Sequence, residues 1–178
     1  MTVRIRPYEL SDAPALYEAA RESYLDIGPW MPWCHADYQL AEAQTWVTAV
    51  IDGAKSGTIY DFAILVDDRF AGACGINQIN PHDRVANLGY WLRSSCTGKG
   101  VAAWAARHVI DWAFDNTVLN RIEIVVAVNN ARSLRVAEKV GATRDAVLPM
   151  RTMANGVATD AVMHSVLRSD RTYATPLK

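Results

Sequence analysis

Cysteine is scarce in this chain. The three residues, Cys34, Cys74 and Cys96, are an odd number without metal-type spacing, which argues against a disulfide framework and against a cysteine-built zinc site. An excess of charge is missing as well: 18 Lys and Arg stand against 19 Asp and Glu, a net charge of −1. Electrostatic binding of nucleic acid is therefore not expected, and no run of like charge marks a tail. No segment approaches 18 uninterrupted apolar residues, and Met1 to Pro7 lacks the apolar stretch of a signal peptide. These absences predict a cytoplasmic protein with no membrane partner. No linker, repeat or low-complexity segment divides the chain. Its 178 residues, 51% of them apolar, are read as one domain spanning 1–178, with a core from about residue 3 to about residue 168.

What is present is an alternation of strand and helix signals. Val3 to Pro7 reads as a short strand, and Ser11 as the cap of a helix to about Tyr24 with Pro14 in its first turn. Asp26 to Tyr38 is an irregular connection rich in Trp and Pro, and Leu40 to about Lys55 reads as a second helix. Ile59 to Val66, Arg69 to Gln78 and Val85 to Leu92 read as antiparallel strands joined at Asp67-Asp68 and Pro81-His82-Asp83. A glycine loop follows, then a long helix to about Asn116, a strand from Arg121 and a short helix to Val140. Two closing strands flank Asn155-Gly156, a pair suited to a type I′ turn. The order predicts an α+β fold: one central mixed, mostly antiparallel sheet of about seven strands flanked by about four helices.

The most informative stretch is the glycine loop, Ser95-Cys96-Thr97-Gly98-Lys99-Gly100, set between the strand ending at Leu92 and a helix whose apolar face begins at Val101. Glycines let backbone N–H groups approach a ligand's oxygens, and the first turn of the following helix adds free donors and a positive dipole end. A pyrophosphate is the matching anion. Two known phosphate loops do not account for it. A P-loop requires Ser or Thr after Gly-Lys, where Gly100 stands here. The dinucleotide fingerprint is met only loosely by Gly98 to Ala103, without an acidic strand end about 20 residues on.

About thirty residues later the strand Ile122 to Val128 runs into Asn129-Asn130-Ala131-Arg132-Ser133 and a short helix stopped by Gly141. The paired elements resemble the GCN5-related N-acetyltransferase (GNAT) family, with its Q/R-x-x-G-x-G/A loop and a later N-x-x-S element. Gly89-Tyr90-Trp91-Leu92, Trp30-Met31-Pro32-Trp33 and the Ala154-Asn155-Gly156 hairpin narrow the resemblance to the RimJ/RimL-type N-terminal acetyltransferases of ribosomal proteins, from Arg4 to about Leu167. Ser95 departs from the pattern, standing where the family has Gln or Arg.

The resemblance implies acetyl-CoA as the donor and no metal. It places the cofactor against Leu92, Ser95, Cys96, Thr97, Gly98, Lys99, Gly100, Val101 and Ala102, with Asn130 orienting the pantetheine arm. Leu92 would offer its backbone N–H to the thioester carbonyl, and Ser133 a hydrogen bond to the departing sulfur. Asn130 and Ser133 are also good helix caps, and the two roles can coexist. Within that loop Cys96 reads as a small residue on a crowded turn rather than as a redox or acyl-carrying thiol. Trp30, Trp33, His35, Asp37 and Tyr90 are the acceptor-side candidates. Trp30, Trp33 and Tyr38 either wall an acceptor groove or cover the core, while Trp91, Trp104 and Trp112 sit at packing spacing.

The base is where the resemblance thins. Relatives can use a glutamate on the strand leading into the last hairpin, where Thr152 stands, and have a second acidic position just before the Leu-Gly-Tyr-Trp segment, where Asn87 stands. Neither takes a proton at neutral pH. Asp37, His35, Tyr90, Glu123 or water remain. The resulting expectation is direct acetyl transfer in a ternary complex to the N-terminal α-amine of a protein or peptide. The alternatives are a small amine such as an antibiotic, polyamine or amino-acid derivative, or a catalytically weak acyl-CoA-binding module. A homodimer is left open.

Overall fold

Runs of β-branched and aromatic residues in the middle of the chain and helix-spaced apolar residues on either side decide the architecture. The computed structural model describes residues 1–171. Its seven strands are β1 (Val3–Pro7), β2 (Tyr60–Val66), β3 (Arg69–Asn80), β4 (Val85–Leu92), β5 (Arg121–Ala127), β6 (Thr143–Ala154) and β7 (Val157–Leu167). They form one sheet in the order β1-β2-β3-β4-β5-β7-β6. All pairings are antiparallel except β4 with β5, which is parallel and short: only Val85, Ala86 and Asn87 find partners, in Arg121, Ile122 and Glu123. Beyond Asn87 the two strands part.

Four helices cover the sheet: α1 (Ala13–Ile27), α2 (Leu40–Ser56), α3 (Val101–Asn116) and α4 (Ala131–Lys139). Strand alternation splits the apolar residues into two layers. Ile64, Ile76, Leu88, Ile122 and Ile124 face Val109, Phe114 and Ala137 of α3 and α4. On the opposite face, Ala63, Phe70 and Ala73 meet Leu16 and Ala20 of α1 and Val47 and Val50 of α2. Trp112 belongs to the first layer, with ring centroids 5.0 Å from Tyr60 and 4.9 Å from Phe62. Trp104 also packs against this layer and stacks on His108 along α3 at 3.8 Å. Cys74 is buried in β3, and all three cysteines are free thiols.

Local starts and stops differ from the sequence reading in one instructive place. Ser11 does not cap α1; its hydroxyl reaches Glu9. The chain enters through a 3-10 turn, Leu10–Asp12, where Asp12 accepts the Glu9 N–H at 2.8 Å and both guanidinium nitrogens of Arg6 at 2.7 Å. Burial opposes ionisation of Asp12, but the bonds from Arg6 and the Glu9 backbone outweigh it and hold its carboxyl below the usual range. The helix then continues about one turn past Tyr24 to Ile27, because Ser23 and Ile27 extend the buried stripe. At the other end of the fold, Asn155 (φ 51°) and Gly156 (φ 73°) both take the left-handed conformation that a two-residue hairpin of this twist requires.

Candidate active site

The parting of β4 from β5 creates the site. Arg93 N–H donates to the Ala71 carbonyl of β3 at 2.7 Å. Alternation along the strand then turns the N–H groups of Leu92 and Tyr90 the other way, into the gap that β5 leaves. Side chains alternate too: Tyr90 points toward α4 and Trp91 toward α1 and α2. One strand therefore serves two cavities.

The first is a cleft of about 440 Å³ between α1, the glycine loop and α4. Gly98 and Gly100 lie at φ 77° and 81°, where an L side chain is strained, and a Cβ at either position would point into open space. Gly100 is the N-cap of α3 and no side chain caps the helix. The first internal bond comes from Trp104 N–H to Gly100, so the amides of Val101, Ala102 and Ala103 face the cleft with no helical acceptor of their own. Arg132, Arg135 and Lys139 on α4 line the opposite wall. Free amides at a positive helix end facing three cations fit a pyrophosphate and a further phosphate.

The loop is held from behind by α1. Ser94 N–H donates to Ser23 Oγ at 2.9 Å, Ser95 N–H to Glu22 at 3.2 Å, and Arg93 pairs with Glu22 at 3.2 Å. This settles which loop residues reach the cleft. Leu92, Thr97, Gly98, Gly100, Val101 and Ala102 line it, with Asn130 and Ser133. Ser95, Cys96 and Lys99 do not. Ser95 is exposed on the 3-10 turn tied to Glu22, Cys96 packs inward on the core, and Lys99 bends back to the Ser95 carbonyl at 3.2 Å.

Asn130 caps α4, its side chain accepting the Ser133 N–H at 3.1 Å. Both residues still line the cleft, so capping and a cleft-facing position coexist. The Ser133 hydroxyl lies 2.9 Å from Tyr90 Oη, which also donates to the Ser133 carbonyl at 3.1 Å. Burial drives the Tyr90 hydroxyl well above its usual range; the Ser133 bond opposes this and Cys74 adds to it. Tyr90 thus stays protonated and is a donor, which removes it from the candidates for a base.

The second cavity is a groove of about 820 Å³ on the α1/α2 side of the sheet. Trp30, Met31, Tyr90 and Trp91 line both cavities, so the groove opens onto the cleft at the end of β4. Trp33 packs edge-on against Trp91 at 5.4 Å and Tyr38 at 5.7 Å. Trp30 and Trp33 therefore wall the groove, whereas Tyr38 does both jobs: it lines the groove and is buried in the core beneath. Trp91, expected to be packing alone, is a wall of both cavities. The connection that carries these rings is anchored by the hairpin tip, where Asn155 N–H donates to the Pro29 carbonyl at 2.8 Å.

Two acceptor-side candidates lie elsewhere. His35 pairs with Glu42 at 3.1 Å and Asp37 sits in an exposed turn bonded to Gln39; neither lines the groove. Glu123 is committed to Arg121 at 2.8 Å, next to the Arg121–Asp145 pair. Thr152 pairs with Thr159 across the hairpin, outside both cavities. Asn87 does line the groove, bonded to Asn77 at 2.9 Å. The residue that sequence reasoning missed is Asp61 of β2. It looks like an ordinary polar residue at a strand start, but it points into the groove, and burial pushes its carboxyl up to about 7. Its only signal in the sequence is an acid beside the apolar run Phe62 to Val66.

Comparison with known proteins agrees with this geometry. Residues 2–143 match the acetyltransferase (GNAT) domain family. YdaF of Bacillus subtilis (strain 168), a candidate ribosomal N-acetyltransferase, is 27% identical over 94% of this chain and 92% of its own length. The ribosomal-protein-serine acetyltransferase of Escherichia coli (strain K12) is 28% identical over 58% of each chain. Among solved structures, RimJ of Mycobacterium smegmatis in complex with CoA-disulfide superimposes with a TM-score of 0.87 at 26% identity, covering 96% of this chain and 84% of that one. The chain belongs to the GNAT family of acetyltransferases and is an acyl-CoA-dependent N-acetyltransferase.

Proposed function

We propose that this enzyme transfers acetyl from acetyl-CoA to the N-terminal α-amine of a protein or peptide by direct attack in a ternary complex. The carrying observation is the meeting of two cavities at the end of β4, one shaped for a phosphorylated arm and one for an acceptor, with Trp30, Met31, Tyr90 and Trp91 common to both. Acetyl-CoA supplies the activated acyl group as a thioester. The amides of Val101 to Ala103 and the α4 cations hold its phosphates, and Asn130 faces its pantetheine arm. The Leu92 N–H, pointing into the β4–β5 gap, stabilises negative charge on the carbonyl oxygen. The hydrogen-bonded Ser133 and Tyr90 hydroxyls meet the departing sulfur and supply a hydrogen bond to it.

The ribosomal-protein names of the relatives support a peptide acceptor. So does an open groove without a Lys, Arg or His among its described lining residues, which leaves nothing to repel an ammonium group. No described helix is long and apolar enough to cross a membrane, and we place the enzyme in the cytoplasm with its ribosomal-type acceptors. A second reading has its own observation: a groove walled by Trp30, Trp33, Trp46 and Trp91 suits a small amine bearing a flat apolar group. Turnover of acetyl-CoA against N-terminal peptides and small amines separates the two. Peptide preference is expected; preference for small amines supports the second reading, and tight CoA binding with no turnover on any amine would overturn both.

A further inference from the structure

The groove contains a carboxyl group that the catalytic apparatus at the end of β4 leaves unused. Asp61, Gly75 and Gly89 lie side by side across β2, β3 and β4. The two glycines carry no side chains of their own; the Asp61 carboxylate leans over Gly75, where an added Cβ would lie 2.2 Å from Asp61 Oδ1, and the Asn77 amide borders Gly89, 3.2 Å from where a Cβ would stand. The carboxylate oxygen thus sits over β3, one strand from β4. Adjacent strands are about 4.8 Å apart, so Oδ1 is within reach, through a single water, of an amine poised above Gly89 and Tyr90. Gly89, Tyr90 and Trp91 line the same groove as Asp61.

The surroundings leave this group free for such work. Among the described residues no cation pairs with Asp61; the Phe62 backbone N–H is its stabilising contact. The titratable groups on its side of the sheet are Tyr8 after β1, whose buried hydroxyl has no partner among the described residues, and Tyr38 and Glu42 along the groove, while the Cys74 thiol of β3 lies on the opposite face. The face of α1 over the groove presents Leu16, which is apolar. None of these carries positive charge.

We propose that Asp61 is the proton acceptor for the incoming amine, in the role that Thr152 and Asn87 cannot fill. The inference rests on the acetyl-transfer reading above. The ammonium form of the acceptor enters the carboxylate-lined groove and gives one proton to Asp61. Its nitrogen lone pair then forms the C–N bond to the acyl carbon, the C–S bond breaks, and the sulfur leaves with the bonding pair and takes up the proton the nitrogen sheds. Asp61 ends with the single proton that the overall reaction sets free, and returns it to water through the groove. The match is with an α-amine, titrating at about 7.7 to 8.0, rather than with a lysine at about 10.4. A carboxyl raised to about 7 lies within roughly one unit of the former and more than three below the latter.

The test is a pair of variants in the full chain, Asp61→Asn and Asp61→Ala, with a peptide and acetyl-CoA. In Asp61→Asn, kcat/KM at pH 7 is expected to fall roughly 10²-fold or more, with the Kd for CoA unchanged. The acid limb of the pH–rate profile that does not move with the acceptor's own amine pKa is expected to disappear. Formate added to Asp61→Ala is expected to restore turnover. A profile that keeps its acid limb in Asp61→Asn, or a loss seen only in CoA affinity, would overturn the proposal. A wild-type enzyme inert toward every amine would instead overturn the acetyl-transfer reading on which it rests.

Discussion

At the scale of single residues, function and stability pull in opposite directions at Asp61. Its carboxyl titrates higher in the folded chain, at about 7, than the usual 3.8, so between those values the native state binds more protons than the unfolded one. Stability contributed by this group is therefore greatest in acid and is lost as pH rises toward about 7. Asp61→Asn should raise Tm by several degrees at pH 8 and leave it nearly unchanged at pH 4; a thermal scan at the two pH values checks this. Asp12 has the opposite sign. Its folded titration lies below the usual value, so its contribution is present at neutral pH and fades in acid. Ser133 and Tyr90 share one hydrogen bond, so their effects should not add. Ser133→Ala and Tyr90→Phe are each expected to cost kcat roughly 10- to 100-fold with little change in CoA affinity, and the double variant little more than the worse single one.

At the scale of elements, the phosphate end is an arrangement of α1, the glycine loop and the start of α3. Gly100→Ala forces an L residue to φ 81° with nothing nearby to clash. The cost is backbone strain of about 1–2 kcal/mol together with a displaced cradle. The KM for acetyl-CoA should rise at least tenfold while the KM for the acceptor stays put, as initial-rate kinetics with each substrate varied will show. Glu22 and Ser23 reach the loop only through the backbone of Ser94 and Ser95 and the side chain of Arg93. Replacing both with alanine should therefore act on the donor side as well. Gly75 differs in kind. A methyl there meets Asp61 Oδ1 at 2.2 Å and the Asp61 Cα at 2.5 Å, so Gly75→Ala displaces the carboxyl and strains the β2–β3 pairing.

At the scale of the whole molecule, the short parallel pairing of β4 with β5 opens the sheet, and the opening joins the two cavities. A ligand bridging α1, α3 and α4 across that opening binds only the folded state. At 100 times its Kd, CoA should stabilise the protein by about 2.7 kcal/mol, a rise in Tm of roughly 5–10 °C. Because Arg132, Arg135 and Lys139 line the cleft, the shift should shrink as salt is raised. Calorimetry over a salt series measures both effects, and a salt-independent affinity would exclude those side chains from phosphate binding.

Much of the fold and part of the candidate site were legible along the chain, because both depend on local pattern. Apolar alternation marked the strands, Asn-Gly marked the last hairpin, and Gly98 and Gly100 marked a loop before a helix whose backbone N–H groups a ligand can approach. Asn130 and Ser133 could be singled out for the same reason: a cap acts over three residues, so its spacing shows in sequence. Only the tertiary structure could decide what depends on contacts between distant strands. Ser95, Cys96 and Lys99 share the glycine loop yet turn from the cleft because α1, some 70 residues earlier, holds that turn. Asp61 became a candidate because β3 places a glycine beneath it and partial desolvation among β2, β3 and the helices above disfavours its charged form. Chain pattern encodes each residue's own conformation; proximity, and with it a shifted proton affinity, exists only once the sheet has formed.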